Sequence, residues 1–185
     1  DNAPFEVNAK SALLMDYETG NVLYAYNADE PYPPASVTKI MTLLLIMEAV
    51  DSGGISLSDT VSASEYASSR GGSQIYLKAG EEMSVEDMIK SIVISSANDA
   101  AVAMAEKIGG SESAFVTKMN DKAKELGMKN TNFENVTGLD DDTVNHVTSA
   151  YDIALMSRAL ISHETILNYS GIWMDTIRDG AFGLT

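Results

Sequence analysis

The segment that most constrains the fold is a nearly uninterrupted apolar stretch at residues 40–50. A proline-rich approach at residues 31–34 precedes it, and the sequence Asp-Ser-Gly-Gly at residues 51–54 follows it, which is typical of a helix end. Its apolar residues occupy every side of a helix rather than a single stripe. We therefore expect a long helix at the centre of a folded domain, surrounded by other elements.

Composition bounds the class of protein. The 185 residues are 45% hydrophobic and 21% charged, values typical of one globular domain that buries a proper core. A net charge of -15 argues against binding to nucleic acid or to anionic lipid. The absence of cysteine excludes disulfides, thiolate catalysis and zinc-thiolate sites. No apolar run is long enough to span a bilayer, and no signal-peptide pattern is visible.

Local patterns predict a mostly helical α+β chain. Apolar runs on either side of a glycine turn indicate a β-hairpin at residues 11–26. Helices are expected after the capping residues Ser84, Ser111 and Thr148. Residues 55–77 are polar and interrupted by glycine, and they predict turns and short helices. A chain that begins without methionine suggests a processed or trimmed protein.

Ser36 and Lys39 form a Ser-x-x-Lys sequence at the start of the apolar helix. Three residues of helix place the two side chains on one face, where a buried lysine that loses its proton activates the hydroxyl. The free N–H groups of a helix start would stabilise an oxyanion. Composition alone supplies about one such match by chance, however, and serine at a helix start is usually an N-cap. Both interpretations therefore remain open from the residues alone.

Ser96 and Asn98 form a second candidate constellation between two predicted helices. A hydroxyl and a carboxamide two residues apart can face one cavity, where the serine relays a proton and the asparagine binds an amide carbonyl of the substrate. About one such pair is also expected by chance. The structural alternative is a turn in which Asn98 caps the next helix.

Taken together, the two constellations resemble the penicillin-recognising serine acyl transferases. The flanking residues narrow the resemblance to low-molecular-mass penicillin-binding proteins, the D-alanyl-D-alanine carboxypeptidases, and it extends from the hairpin to about Leu167. The matching stretches are Pro34-Ala35-Ser36-Val37-Thr38-Lys39-Ile40-Met41-Thr42, Ser95-Ser96-Ala97-Asn98-Asp99-Ala100-Ala101-Val102-Ala103-Met104-Ala105, Leu126-Gly127-Met128-Lys129-Asn130-Thr131, Gly138-Leu139-Asp140 and Thr148-Ser149-Ala150-Tyr151-Asp152. The implied fold is the helical lobe of a transpeptidase/β-lactamase-like domain plus an N-terminal β-hairpin from its antiparallel sheet.

The resemblance also implies a reaction at the D-Ala-D-Ala end of a peptidoglycan stem peptide. Ser36 would attack the penultimate carbonyl while Lys39 takes its proton. Ser96 would pass a proton to the leaving nitrogen, and Asn98 would hold the acyl-side amide. β-Lactams would acylate Ser36 by the same route. No metal or cofactor is implied, and the expected location is extracytoplasmic, secreted or anchored at the outer face of the bacterial cytoplasmic membrane.

The sequence departs from the family pattern because it contains no Lys-Thr-Gly motif. Thr-Gly occurs only at Thr19-Gly20 and Thr137-Gly138, and neither pair follows a lysine. We therefore expect residues 1–185 to be a single, C-terminally incomplete transpeptidase-like domain with impaired activity. Residues 179–185 show no strand partner in the sequence, and the uncovered hairpin face predicts self-association.

Histidine supplies the second departure. Some family members carry a histidine immediately before the Gly-Leu-Asp segment, where this chain has Thr137. The two histidines present, His146 and His163, lie in a polar loop and at a helix end. We expect both to be surface residues.

Other functions fit the residues less well. A Ser-His-Asp hydrolase is disfavoured because no Gly-x-Ser-x-Gly elbow occurs. A class A-like β-lactamase shares Ser-x-x-Lys but differs in the flanking residues. A non-catalytic peptidoglycan-binding or regulatory module of the same fold remains an alternative because the third motif is missing. Metal binding has no support, since the chain lacks His-Glu-x-x-His and a calcium-loop spacing.

Overall fold

The computed structural model describes residues 7–141 and 143–185, and the described chain is α+β and mostly helical, as predicted. The helices are α1 (Lys39–Asp51), α2 (Glu65–Ser68), α3 (Val85–Ser95), α4 (Asn98–Gly109), α5 (Glu112–Glu125), α6 (Ala150–Ile161) and α7 (Glu164–Ser170). The strands are β1 (Ala12–Met15), β2 (Val22–Tyr26), β3 (Thr60–Ser62), β4 (Glu82–Ser84), β5 (Asp175–Ile177) and β6 (Phe182–Leu184). Each of these helices is too short or too polar to cross a bilayer.

Helix α1 forms the centre of the molecule, which confirms the prediction from its all-round apolar pattern. It packs against α4, α5 and α6. Met41, Ile46 and Met47 have no exposed surface, and Leu44 retains 1%. Burial on all sides stabilises this helix chiefly through apolar contacts, since side chains of this size each contribute about 1.5–3 kcal/mol when fully buried.

The predicted N-terminal hairpin is present as β1 and β2, which pair antiparallel. Arg158 of α6 holds its turn, donating from Nε to the Tyr17 carbonyl at 2.7 Å and from Nη2 to the Glu18 carbonyl at 3.0 Å. Leu14 and Leu23 remain 52% and 66% exposed on this hairpin. The hairpin is therefore fixed to the helical layer at its turn while part of its apolar surface stays in contact with solvent.

Two further two-stranded antiparallel sheets were not predicted from the sequence. Strands β3 and β4 pair antiparallel, with β3 in the region expected to hold only turns and short helices. Strands β5 and β6 also pair, so the expectation that residues 179–185 lack a strand partner is wrong. Burial of Ile177 and Leu184 stabilises the β5–β6 pairing, and a left-handed backbone at Arg178, Asp179 and Gly180 forms the turn between the two strands.

The predicted helix starts are correct in two of three cases. The hydroxyls of Ser84 and Ser111 accept hydrogen bonds from backbone N–H groups three residues later. The cap of α6 is Ser149 rather than Thr148. Thr148 is instead part of an extended segment, because its backbone pairs with Tyr32. The same segment becomes important at the candidate active site.

Candidate active site

Ser36 lies in a short 3-10 turn, Ala35–Thr38, that leads into α1. Pro34 is buried at the start of this turn, and Ala35 adopts a left-handed backbone with φ of 48°. The side chain of Ser36 is exposed, and its backbone N–H has no partner among the described residues. Thr38, not Ser36, occupies the N-cap position of α1. The alternative that Ser36 serves only as a helix cap is therefore wrong.

Lys39 is buried beside Ser36 in the geometry that the spacing predicts. Its Nζ donates to Ser36 Oγ at 3.2 Å and to the Thr137 carbonyl at 3.0 Å. No carboxylate of the described residues pairs with this side chain, and the residue is 4% exposed. Burial lowers the pKa of Lys39 from 10.5 to about 8. A substantial fraction of this amine is consequently neutral, and able to accept a proton, under mildly alkaline conditions.

A loop at residues 135–139 closes over the turn from the opposite side. Asn135 Oδ1 accepts a hydrogen bond from the Gly138 N–H at 2.8 Å and so shapes the loop. The carbonyl of Val136 accepts a hydrogen bond from Thr42 at 2.8 Å. Gly138 has φ of 82°, and a Cβ at this position would lie 1.7 Å from the Ala35 carbonyl oxygen. Glycine is thus required here for both backbone conformation and close approach.

His146 is buried, so the expectation that it lies on the surface is wrong. It is 3% exposed, and its Nε2 lies 2.7 Å from the hydroxyl of Thr38, between Ser36 and Lys39. The polar sequence around it suggested a solvated loop, but the backbone pairing of residues 147 and 148 draws the segment into the fold. His163 is half-buried and contacts Asp51 through Nδ1.

Ser96 occupies the connection between α3 and α4 in a strained conformation. It is the C-cap of α3 and has φ of 52° and ψ of 36°, a left-handed backbone that is uncommon for serine. Its side chain is half-buried, and its hydroxyl makes no hydrogen bond within the described chain. No hydrogen bond therefore joins Ser96 to Ser36 or Lys39 in this structure.

Asn98 is 3% exposed and is the first residue of α4. Its Nδ2 donates to the Gly71 carbonyl at 2.8 Å, and its backbone N–H donates to the Ser73 carbonyl at 2.7 Å. Because the side chain points to the segment at residues 71–73, the alternative that Asn98 caps a helix is wrong. Its Oδ1 is a buried acceptor without a partner in the described chain. A buried unpaired amide oxygen is costly unless a ligand or water satisfies it.

The sequence reasoning missed a neighbouring carboxylate that supports this connection. Asp99 is fully buried and accepts hydrogen bonds from the backbone N–H groups of Ile75 and Leu77 at 3.1 and 2.9 Å. Asn98 and Asp99 thus hold two parts of the same segment. In the sequence, the only indication of this role was the charge of Asp99 at the start of an otherwise apolar helical stretch.

A polar cavity of about 280 Å³ adjoins these residues, and Gly71, Thr137 and Leu139 line part of it. It therefore connects the loop that covers Lys39 with the segment that binds Asn98. Across residues 7–141 and 143–185, no group of three or more acidic or histidine side chains is arranged to hold a metal ion.

Curated D-alanyl-D-alanine carboxypeptidases are similar to this chain over most of its length. The chain is 56% identical over 171 residues to the D-alanyl-D-alanine carboxypeptidase DacF of Bacillus subtilis (strain 168), a match that covers 92% of this chain and 43% of that protein. It is also 42% identical over 161 residues to the D-alanyl-D-alanine carboxypeptidase DacC of Escherichia coli (strain K12). This match covers 84% of this chain and 40% of that protein. The chain thus spans less than half the length of these relatives.

Solved structures show the same fold. A peptidoglycan synthesis regulatory factor (PBP3) from Streptococcus pneumoniae superimposes with a TM-score of 0.89 and 33% identity, covering 98% of this chain and 54% of that one. Penicillin-binding protein D2 from Listeria monocytogenes, in its ampicillin-bound form, gives a TM-score of 0.83 and 32% identity, covering 96% of this chain and 72% of that one.

A family model described as D-alanyl-D-alanine carboxypeptidase, peptidase family S11, matches residues 1–179. The match includes all four of the residues singled out from the sequence. On this evidence the chain belongs to the D-alanyl-D-alanine carboxypeptidase family.

Proposed function

We propose that this chain carries the acylation machinery of a serine-type D-Ala-D-Ala carboxypeptidase, with Ser36 as nucleophile and Lys39 as its general base. The observation that supports this most is the buried Lys39 amine, which lies 3.2 Å from Ser36 Oγ and has a pKa of about 8. A lysine in this state is matched to proton transfer near neutral pH, whereas a solvated lysine is not.

In the proposed reaction, Ser36 Oγ forms a bond to the carbonyl carbon of the penultimate D-Ala while its proton passes to Lys39. The unpaired N–H of Ser36 supplies one donor to the resulting oxyanion. The C–N bond then breaks, and the terminal D-Ala leaves after its nitrogen receives a proton. Water hydrolyses the acyl-enzyme and regenerates Ser36.

Ser96 is proposed as the group that relays a proton to the leaving nitrogen, and Asn98 as the group that binds the acyl-side amide. The free hydroxyl of Ser96 and the unpaired Oδ1 of Asn98 support this assignment, because neither atom is used to hold the described fold together. Since one Nδ2 proton of Asn98 is donated to Gly71, we propose that Oδ1 accepts from a substrate N–H.

Activity of residues 1–185 alone is proposed to be low. The sequence of residues 1–185 contains no Lys-Thr-Gly motif. The resemblance implies that the lysine of this motif binds the substrate carboxylate. The resemblance also implies that the strand with this motif supplies one backbone N–H of the oxyanion hole, and loss of one such donor lowers the rate on the order of 10²–10³-fold. A non-catalytic peptidoglycan-binding module of this fold is the second candidate function. Family membership favours a carboxypeptidase over a class A-like β-lactamase.

A labelling experiment separates these proposals. Fluorescent penicillin is incubated with the chain and with Ser36→Ala, and covalent label is followed over time on a denaturing gel. Slow labelling that the Ser36→Ala variant abolishes supports an impaired acyl transferase, and rapid stoichiometric labelling contradicts the proposed impairment. Absent labelling, together with peptidoglycan binding that survives Ser36→Ala, indicates a binding module. Release of D-alanine from a tripeptide that ends in D-Ala-D-Ala supports the carboxypeptidase, whereas turnover of nitrocefin supports a class A-like β-lactamase.

The remaining proposals concern substrate, location and association. Ampicillin- and cefotaxime-bound forms of the Listeria relative support β-lactams as ligands. We propose an extracytoplasmic location, where peptidoglycan stem peptides occur, and a single transpeptidase-like domain over residues 1–185 that lacks the Lys-Thr-Gly wall. Self-association through the exposed face of the β1–β2 hairpin is tested by sedimentation velocity of the chain and of Leu23→Lys, which should remain monomeric if this face is the interface.

A further inference from the structure

We propose that His146 is a positioning residue, which holds the hydroxyl of Thr38 and through it the turn that carries Ser36 and Lys39. The inference rests on the proposed roles of Ser36 and Lys39. His146 forms no hydrogen bond with either residue, and it lies 108 positions after Thr38 in the chain.

The hydrogen bonds of the ring define its protonation state. The backbone N–H of Glu134 donates to Nδ1 of His146 at 2.9 Å, so Nδ1 must carry a lone pair rather than a proton. The proton of the neutral imidazole therefore resides on Nε2, which donates to Thr38 Oγ1 at 2.7 Å. Burial also lowers the pKa of His146, which favours the neutral form.

The hydrogen bond to Thr38 belongs to a set of three that fixes the start of α1. Thr38, Lys39 and Thr42 each send a polar side chain to the segment at residues 136–146. Lys39 and Thr42 donate to backbone carbonyls of that segment. For Thr38 the segment supplies the side chain of His146 instead. The Nε2–H of this ring donates a hydrogen bond to the threonine oxygen, whereas a carbonyl could only accept one from the hydroxyl.

The backbone immediately after His146 is paired with two other segments of the chain. Val147 exchanges backbone hydrogen bonds with Asn132 at 2.9 and 3.0 Å, and Thr148 does so with Tyr32 at 2.8 and 3.0 Å. Tyr32 lies just before the proline turn that leads to Ser36. The backbone next to His146 is thus hydrogen-bonded to the segment that precedes Ser36. The position of the imidazole is therefore coupled to the position of the turn that carries Ser36.

The first test does not depend on activity. Nitrogen NMR of the histidine rings should show His146 with a proton on Nε2 and none on Nδ1 at neutral pH. Thr38→Val removes the hydrogen bond at nearly constant volume, and we expect the measured pKa of Lys39 to rise from about 8 towards 10.5 as water reaches the loosened turn. Thr131→Val is the control, because the Thr131 hydroxyl binds Thr148, just after this segment, and Asp152 of α6, so that the variant loses hydrogen bonds away from Ser36. Thermal unfolding of each variant verifies that it is folded.

The second test measures acylation of Ser36 by fluorescent penicillin. Thr38→Val and His146→Gln should each slow labelling roughly ten- to hundred-fold, and the double variant should be no slower than either one, whereas Thr131→Val should not change the rate. A proton on Nδ1, or an unchanged Lys39 pKa in folded Thr38→Val, overturns the inference. If the unaltered chain is not labelled at all while the pKa of Lys39 responds to Thr38→Val, the proposed function fails and the positioning role stands.

Discussion

The two halves of the candidate site differ in how many of their polar groups are already paired. Around Ser36 and Lys39, the side chains of Thr38, Lys39 and Thr42 all bind the segment at residues 136–146. Around Ser96 and Asn98, by contrast, the described residues leave the serine hydroxyl without a hydrogen bond and one amide oxygen buried without a partner. One half is preorganised by the chain itself, and the other retains polar capacity for a ligand.

This difference indicates a division of labour within the site. A nucleophile and its base must be held within a narrow range of geometry, because small displacements strongly lower the reaction rate. Groups that bind substrate instead need unsatisfied donors and acceptors when the site is empty. The predictions below disturb one half at a time, starting with the largest expected effect.

Removal of the Lys39 amine should affect the preorganised half most. We expect Lys39→Met to lower the rate of penicillin acylation by about 10²–10⁴-fold, because the general base is lost, while a similar volume remains in the core. Labelling rates of the variant and of Lys118→Met, an exposed control, are compared. An equal loss in both variants would contradict a specific role for Lys39.

Gly138→Ala should break the packing of the loop onto the turn. The new Cβ would overlap the Ala35 carbonyl, so we expect a loss of at least about 3 kcal/mol in the free energy of unfolding, measured by denaturant titration. Gly110→Ala is a closely matched control, since Gly110 also has φ of 82° and nothing within 4 Å of its Cβ position. Its cost should be only about 1 kcal/mol, from backbone strain. Similar costs at both positions would show that the contact with Ala35 is unimportant.

The pH dependence should report the buried amine. Lys39 has a folded-state pKa of about 8, below the 10.5 of the unfolded chain, so the unfolded state binds more protons between these values. The contribution of Lys39 to the free energy of unfolding therefore rises as pH increases from about 8 to 10.5. The acylation rate should also increase, by about ten-fold between pH 7 and 9, as the neutral amine becomes populated. Stopped-flow labelling across this range tests the expectation, and a flat profile contradicts it.

Asn98→Leu should have the smallest effect on stability and a clear effect on binding. The variant loses the hydrogen bond to Gly71 but also removes an unpaired buried oxygen, so we expect the free energy of unfolding to change by no more than about 1 kcal/mol. The rate of penicillin labelling should still fall about ten-fold. Chemical denaturation and labelling are measured on the same preparation, and a large loss of stability would show that Asn98 is chiefly structural.

Local sequence patterns were sufficient to predict several parts of the molecule. The central position of α1 followed from its all-round apolar pattern, and the N-terminal hairpin followed from two apolar runs around a glycine. The contact between Ser36 and Lys39 depended only on their spacing. In each case the decisive residues are close in the chain, where backbone geometry limits the possibilities.

Contacts between distant segments could not be predicted in this way. His146 lies in a polar stretch without periodicity, and its burial depends on Thr38, 108 positions earlier. Strands β3 and β4 have three residues each, which is too short for an alternating pattern to be recognised. The requirement for glycine at position 138 arises from the Ala35 carbonyl, which no local pattern reveals.

The central position of α1 also has a consequence for how the chain folds as it is synthesised. The helices that cover α1 are α4, α5 and α6, and the last of these ends at Ile161, 110 residues after α1 itself ends. Until α6 has been synthesised, part of the apolar surface of α1 remains exposed to water. Contacts over such separations form slowly, and the intermediates aggregate readily. The apolar residues that bury α1 in the folded protein thus expose the nascent chain to aggregation.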